Sequence, residues 1–168
     1  MRAVQVLLGL MCLLVLVPSH AAAAEPRGAN VVMVGSNEQI NDDLYAFGRT
    51  ITIRGTVNGD VIAFGGMLAV EGTVTGDVIA IAGTTTVTGT VGGTLRVAAG
   101  NVTVDGRVGE DAVVAAGILR LGSRAQVGRD VLLGTGSSDI GGVVGRHVLA
   151  SGGELALRGR VGGDVRAP

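Results

Sequence analysis

The stretch G-T-V-N-G-D-V-I-A-F-G-G-M-L-A-V-E-G-T-V-T-G-D-V, residues 55–78, contains its own repeat: G-T-V-N-G-D-V at 55–61 returns as G-T-V-T-G-D-V at 72–78, 17 residues later. Followed outward in both directions, the phrase recurs as I-N-D-D-L (40–44), V-N-G-D-V (57–61), V-T-G-D-V (74–78) and V-G-G-T-L (91–95). It continues as V-G-E-D-A (108–112), V-G-R-D-V (127–131), V-G-R-H-V (144–148) and V-G-G-D-V (161–165). Every step between copies is 17 residues except that from 108 to 127, which is 19 and carries two extra residues within 122–126. A fixed period of this length is the mark of a stacked repeat architecture.

Within the copy that starts at Val57, the apolar residues Val57, Val61, Ala63, Leu68, Val70 and Val74 recur in register. Their spacing is two, the strand period, and the parity changes once at the Gly65-Gly66 corner. A second glycine slot runs through Gly55, Gly72, Gly89, Gly106, Gly142 and Gly159. Two glycine corners in 17 residues leave no stretch for a helix, and Val, Ile and Thr fill the remaining positions as strand residues do. The expected fold is all-β, a single parallel β-helix solenoid of about 17-residue coils over 40–168, each coil made of about three short strands. Such a coil cannot bury its apolar edge alone, so several must stack.

Composition agrees. The chain has 168 residues, 30 of them glycine, with 47% hydrophobic and only 2% aromatic residues, which suits thin repeated layers better than a conventional core. All 13 basic residues are arginine, so lysine Schiff bases and P-loop lysines are ruled out. The formal charge of −1 and the lack of a basic run argue against a nucleic-acid partner.

Residues 1–24 read as a helical signal peptide: Arg2, an apolar run over 4–17, Pro18, then Ala22-Ala23-Ala24 before the expected cleavage point. The expected location is therefore the periplasm, cell envelope or exterior, with peripheral membrane contact allowed. The one cysteine, Cys12, falls inside the apolar run, so no disulfide is expected beyond residue 24. Residues 25–39, with Val31-Val32-Met33-Val34, form a leader expected to cap the solenoid or to fold over its outer face.

The corner phrase places Asp43, Asp60, Asp77, Asp111, Asp130 and Asp164 in one slot, with Thr94 and His147 in the other two copies. A calcium ladder would need six to eight oxygens per ion. The simpler reading is structural: Gly59-Asp60, Gly76-Asp77 and the later aspartates cap backbone N–H groups at their turns. His147, the one histidine after residue 24, occupies the same slot and makes no zinc site by itself. No catalytic residue, metal or cofactor is expected. Outward threonines such as Thr50, Thr52, Thr84 and Thr86 suggest an ice-binding array, but Met67, Ala69, Ile118 and Arg120 interrupt it.

The strand parity that sends Val61 and Ala63 inward sends Ile62 and Phe64 outward, beside Tyr45 and Phe47 on one side and Ile79 and Ile81 on the other. A contiguous outward apolar patch marks an interaction surface, here assigned to self-association. The last coil, ending at 165–168 without a terminal helix, is expected to leave its strand edge unpaired, and neither end of the solenoid is expected to be closed.

With G-T-V-N-G-D-V (55–61), G-T-V-T-G-D-V (72–78), G-T-V-G-G (89–93) and G-R-V-G-G-D-V (159–165) in view, residues 40–168 resemble the bactofilins, the polymer-forming cytoskeletal proteins of bacteria. The resemblance implies a right-handed coil of triangular section that polymerises through its ends without nucleotide and scaffolds envelope processes, with no active site. The signal peptide departs from that pattern and makes this an exported variant. The expected function is a self-assembling envelope scaffold whose partners are its own copies, together with envelope proteins or glycan; the alternative is an exported monomeric β-helix that binds a surface, glycan or ice.

Overall fold

The computed structural model describes residues 25–167, all strand, turn and bend, with no helix among them. The signal-peptide expectation for residues 1–24 lies outside the described residues. The chain forms a parallel β-solenoid whose short strands make an eight-stranded sheet, one strand per turn.

Each turn repeats two elements. A ten-residue strand, exemplified by β6 (Val61–Val70), is followed by a two-residue strand, β7 (Thr73–Val74). The same pair recurs from β4 (Leu44–Ile53) and β5 (Thr56–Val57) to β16 (Val148–Leu157) and β17 (Arg160–Val161), and β18 (Val165–Arg166) begins another turn. The three short strands expected per coil are thus one long strand bent in the middle and one short strand. Val61 and Ala63 point inward, as do Leu68 and Val70, so the parity switches between them as the glycine pair required. At that corner the pairing of β6 with β8 (Val78–Val87) skips Gly66 and Gly83 and resumes at Met67 and Thr84.

Registry is one coil to the next throughout: Val61 lies opposite Val78, Ile62 opposite Ile79 and Val74 opposite Val91. Like residues therefore stack on like, and the inward rows close into one core that runs from Val32 to Val148. The two extra residues sit in the corner 122–125, between β12 (Ala112–Leu121) and β13 (Gln126–Val127), where Ala125 N–H donates to Gly122 O at 3.0 Å. The bulge lies outside the strands, so the register beyond it is undisturbed.

Residues 25–39 do not fold over the outer face. They form a further turn of the solenoid: β1 (Glu25–Gly28) pairs with the first half of β4, β2 (Val31–Val34) with its second half, and β3 (Gln39–Ile40) with β5. Val32 and Val34 are buried, while Val31 and Met33 face out. Their corner, 35–38, repeats the four-residue geometry of 122–125, with Glu38 N–H donating to Gly35 O at 2.9 Å. Strand parity in V-V-M-V marks a strand, and its pairing with β4 is what places the segment in the solenoid.

Side chains fasten the first described turn. Arg27 stands opposite Ala46, an inward position. Its guanidinium donates to Met33 O at 3.2 Å and pairs with the Glu38 carboxylate, which also accepts the Gly35 N–H at 3.0 Å. These bonds from Arg27 hold the Glu38 carboxyl below its ordinary range, with the Gly35 amide adding to the effect. In the last described coil the inward residues Leu157 and Val165 remain exposed.

Not every core position is apolar, and one of the polar ones lacks a partner. Thr85 replaces the leucine of the coil before it, Leu68, is fully buried, and its hydroxyl has no partner. A buried hydroxyl left unpaired costs about 1–3 kcal/mol, so Thr85→Val is expected to raise the melting temperature, as a calorimetric scan would show. An unchanged or lowered transition would mean that the hydroxyl is satisfied in solution.

Candidate functional site

The corner aspartates build an inter-coil device in two runs. Asp43 Oδ1 accepts the N–H of Asp60 at 2.8 Å, Asp60 Oδ1 that of Asp77 at 2.8 Å, and Asp77 Oδ1 that of Thr94 at 2.8 Å. After an interruption at Thr94 the series resumes, from Asp111 to the Asp130 N–H at 3.0 Å and from Asp130 to the His147 N–H at 2.9 Å. Each aspartate was expected to cap its own turn; instead five of the six, all but Asp164, fasten the next coil, because parallel stacking brings the following copy's amide within reach of the carboxylate. Gly76 fits this arrangement closely, since a Cβ there would overlap the Asp60 carboxylate. The Thr94 amide lowers the Asp77 carboxyl below its usual range, and the Arg96 guanidinium, 2.6 Å away, acts in the same sense.

His147 continues the series with a different atom: Asp164 N–H donates to its Nδ1 at 3.0 Å. That bond needs a lone pair on Nδ1, which assigns the ring proton to Nε2. Asparagine offers an acceptor at a similar reach, so His147→Asn is expected to be close to neutral, whereas His147→Ala should cost about 1 kcal/mol, the worth of one such hydrogen bond. Urea melts of the two variants check this; equal midpoints would remove the structural role.

None of these carboxylates converges on a cleft, and no group of three or more His, Cys, Asp or Glu side chains is placed to hold a metal ion among the described residues. The corner is a fastening, and the surface suited to recognition lies on the neighbouring face.

That face is the outward side of the first half of each long strand. Register stacks Tyr45, Ile62 and Ile79 in one row and Phe47, Phe64 and Ile81 in the row beside it. Phe47 and Phe64 stack in parallel with ring centroids 5.6 Å apart. Tyr45 and Ile62 are half-buried, whereas Phe64 is 40% and Ile81 55% exposed, values high for large apolar side chains. All six predicted residues thus share one surface, and nothing among the described residues covers it.

The face runs further than the six residues. Beyond Arg96 the first row continues as Val113, Leu132 and Leu149, all exposed. The second row shrinks to Ala98, Ala115, Gly134 and Ser151, and a groove of about 600 Å³ opens there, walled by Leu132 and Leu149. Parity carried past residue 81 gives these positions from sequence; what hides them is Arg96, which breaks the apolar run, and the small residues, which look unremarkable until stacked.

No family model, curated protein or solved structure matches the chain.

Proposed function

We propose that the protein is a self-assembling structural scaffold of the bactofilin kind, a right-handed solenoid exported to the bacterial cell envelope, with no catalytic role. The observation that carries this reading is the uncovered apolar face. Contiguous apolar surface on a soluble protein marks a contact site, and here it extends over the same strand half of successive coils from Tyr45 to Leu149. The aspartate fastenings suit a scaffold as well, since they tie coil to coil along the rod.

Sedimentation velocity over a range of protein concentrations tests the proposal. Concentration-dependent assembly is expected, with ordered particles by electron microscopy. Phe64→Arg should weaken lateral association while leaving the melting temperature nearly unchanged, because the ring faces solvent. A protein that stays monomeric at the highest concentrations would sink the scaffold reading in favour of the monomeric binding protein, whose ligand would then be sought along the groove.

A further inference from the structure

The shape of the face specifies how two copies meet. Resting on the scaffold reading, we infer that the protein pairs laterally with a second copy of itself whose solenoid axis runs antiparallel to its own, so that Phe64 of each copy sits over Gly134 of the other.

The first argument is the taper. In the second row, bulk falls along the rod: Phe47, Phe64 and Ile81 project, Ala98 is small, and Ala115, Gly134 and Ser151 line the groove. A parallel copy in the same register would set rings against rings and hollow against hollow, holding the surfaces apart at one half and leaving a void at the other. An antiparallel copy with its twofold axis at Ala98 matches Phe47 to Ser151, Phe64 to Gly134 and Ile81 to Ala115. Each pair then combines one large with one small residue, the arrangement that fills space between facing sheets. The inner row, from Tyr45 to Leu149, stays bulky and accepts either direction.

Charge supplies the second argument. Residues 25–95 carry 3 Arg against 7 Asp and Glu, a net of −4, and residues 96–168 carry 9 against 7, a net of +2. The antiparallel arrangement lays the acidic half of each copy beside the basic half of the other. Along the border of the face it brings Asp42 toward Arg146, whereas the corner register sets Asp60 toward Asp130 and Asp77 toward Asp111. Arg96 meets its own counterpart near the axis, but each already pairs with Asp77 at 2.6 Å. Charges at this spacing steer and orient within the Debye length, about 8 Å at physiological salt.

The contact is small. Seven strand halves of four residues cover about 400 Å² per copy at strand spacings of about 4.8 Å and rises of about 3.3 Å. That gives about 800 Å² in total, under the roughly 1,200 Å² of stable complexes. Pairing should therefore be reversible and driven by concentration.

The test uses the full chain with its one cysteine removed, Cys12→Ser, and single cysteines introduced on the face. Facing sheets lie about 10 Å apart, beyond disulfide reach, so a short bis-maleimide is the reagent. Ala98→Cys is expected to crosslink to a dimer by itself. Ile62→Cys and Leu132→Cys should each fail alone and crosslink when mixed. Self-crosslinking of Ile62→Cys would overturn the antiparallel register. Absence of any crosslink at concentrations where sedimentation shows assembly would move the contact off this face and overturn the inference while leaving the scaffold reading intact. Gly134→Phe gives a second measurement: a Cβ at Gly134 meets nothing within 4 Å, so the melting temperature should hold while the groove is filled and the associated species is lost. Association unchanged by Gly134→Phe would count against the proposal, and an unaltered protein that never assembles would overturn both readings together.

Discussion

Val74→Asp is expected to leave the protein unfolded at ambient temperature, while Thr73→Asp, one residue earlier, is expected to shift its melting temperature by only a few degrees. Val74 is fully buried and lies between Val57 and Val91 in the short-strand sheet. A carboxylate there would sit between the buried valines of the two neighbouring coils. Its desolvation costs several kcal/mol even after the group takes up a proton, comparable with the whole stability of a small domain, about 5–15 kcal/mol. Thr73 shares the backbone environment but turns its side chain to the surface, between Thr56 and Thr90. Circular dichroism melts of the pair measure the difference directly. Equal tolerance would mean that the inward and outward faces have been exchanged, and the proposed contact surface would fall with them.

The second large effect is expected at the stacked glycines. A Cβ at Gly89 would overlap the carbonyl oxygen of Gly72 in the coil below and press on the backbone of Glu71. Neither neighbour can move aside as a side chain does, because Gly72 is itself tied into the ladder: its N–H donates to Ile53 O at 2.9 Å and its carbonyl accepts the Thr90 N–H at 2.9 Å. Gly89→Ala should therefore force two coils apart in mid-rod and cost at least the roughly 1–3 kcal/mol typical of overpacking. Gly134→Ala is its control. That position is open, and the change should stay within about 0.5 kcal/mol, as surface substitutions do. Chemical denaturation of both variants decides the matter. If Gly89→Ala proved as mild as Gly134→Ala, the coils would have to stack more loosely than their hydrogen bonds imply.

Coil length, the inward rows and the corner glycines were all legible in the sequence, because in a solenoid each is a periodic property: position 57 and position 74 face the same surroundings one coil apart, so a residue type recurs wherever its environment does. The same periodicity located the 122–126 insertion, and strand parity located the six outward residues from Tyr45 to Ile81. Parity also held the rest of the face, but only stacking shows that Ala115, Gly134 and Ser151 line up as a groove, since depth is measured against neighbours a full coil away.

Three features needed the tertiary structure for a different reason. The leader 25–39 contains no copy of the corner phrase, so its place as a further turn emerges only when β1, β2 and β3 find partners in β4 and β5. Arg27, in the same leader, stands at an inward position and reaches Glu38, 11 residues on, a contact made by the winding of the chain. The aspartates were assigned to their own turns because a carboxylate in sequence has only its near neighbours as visible donors. The amide that Asp43, Asp60, Asp77, Asp111 and Asp130 each accept belongs to the next coil, 17 or 19 residues away. By itself the sequence determined which residues repeat and which way they face, because strand geometry acts over two residues and the repeat over 17. The tertiary structure alone decided what each repeated group touches, because a side chain's partner is set by the stacking of coils, which brings together atoms that no local rule connects.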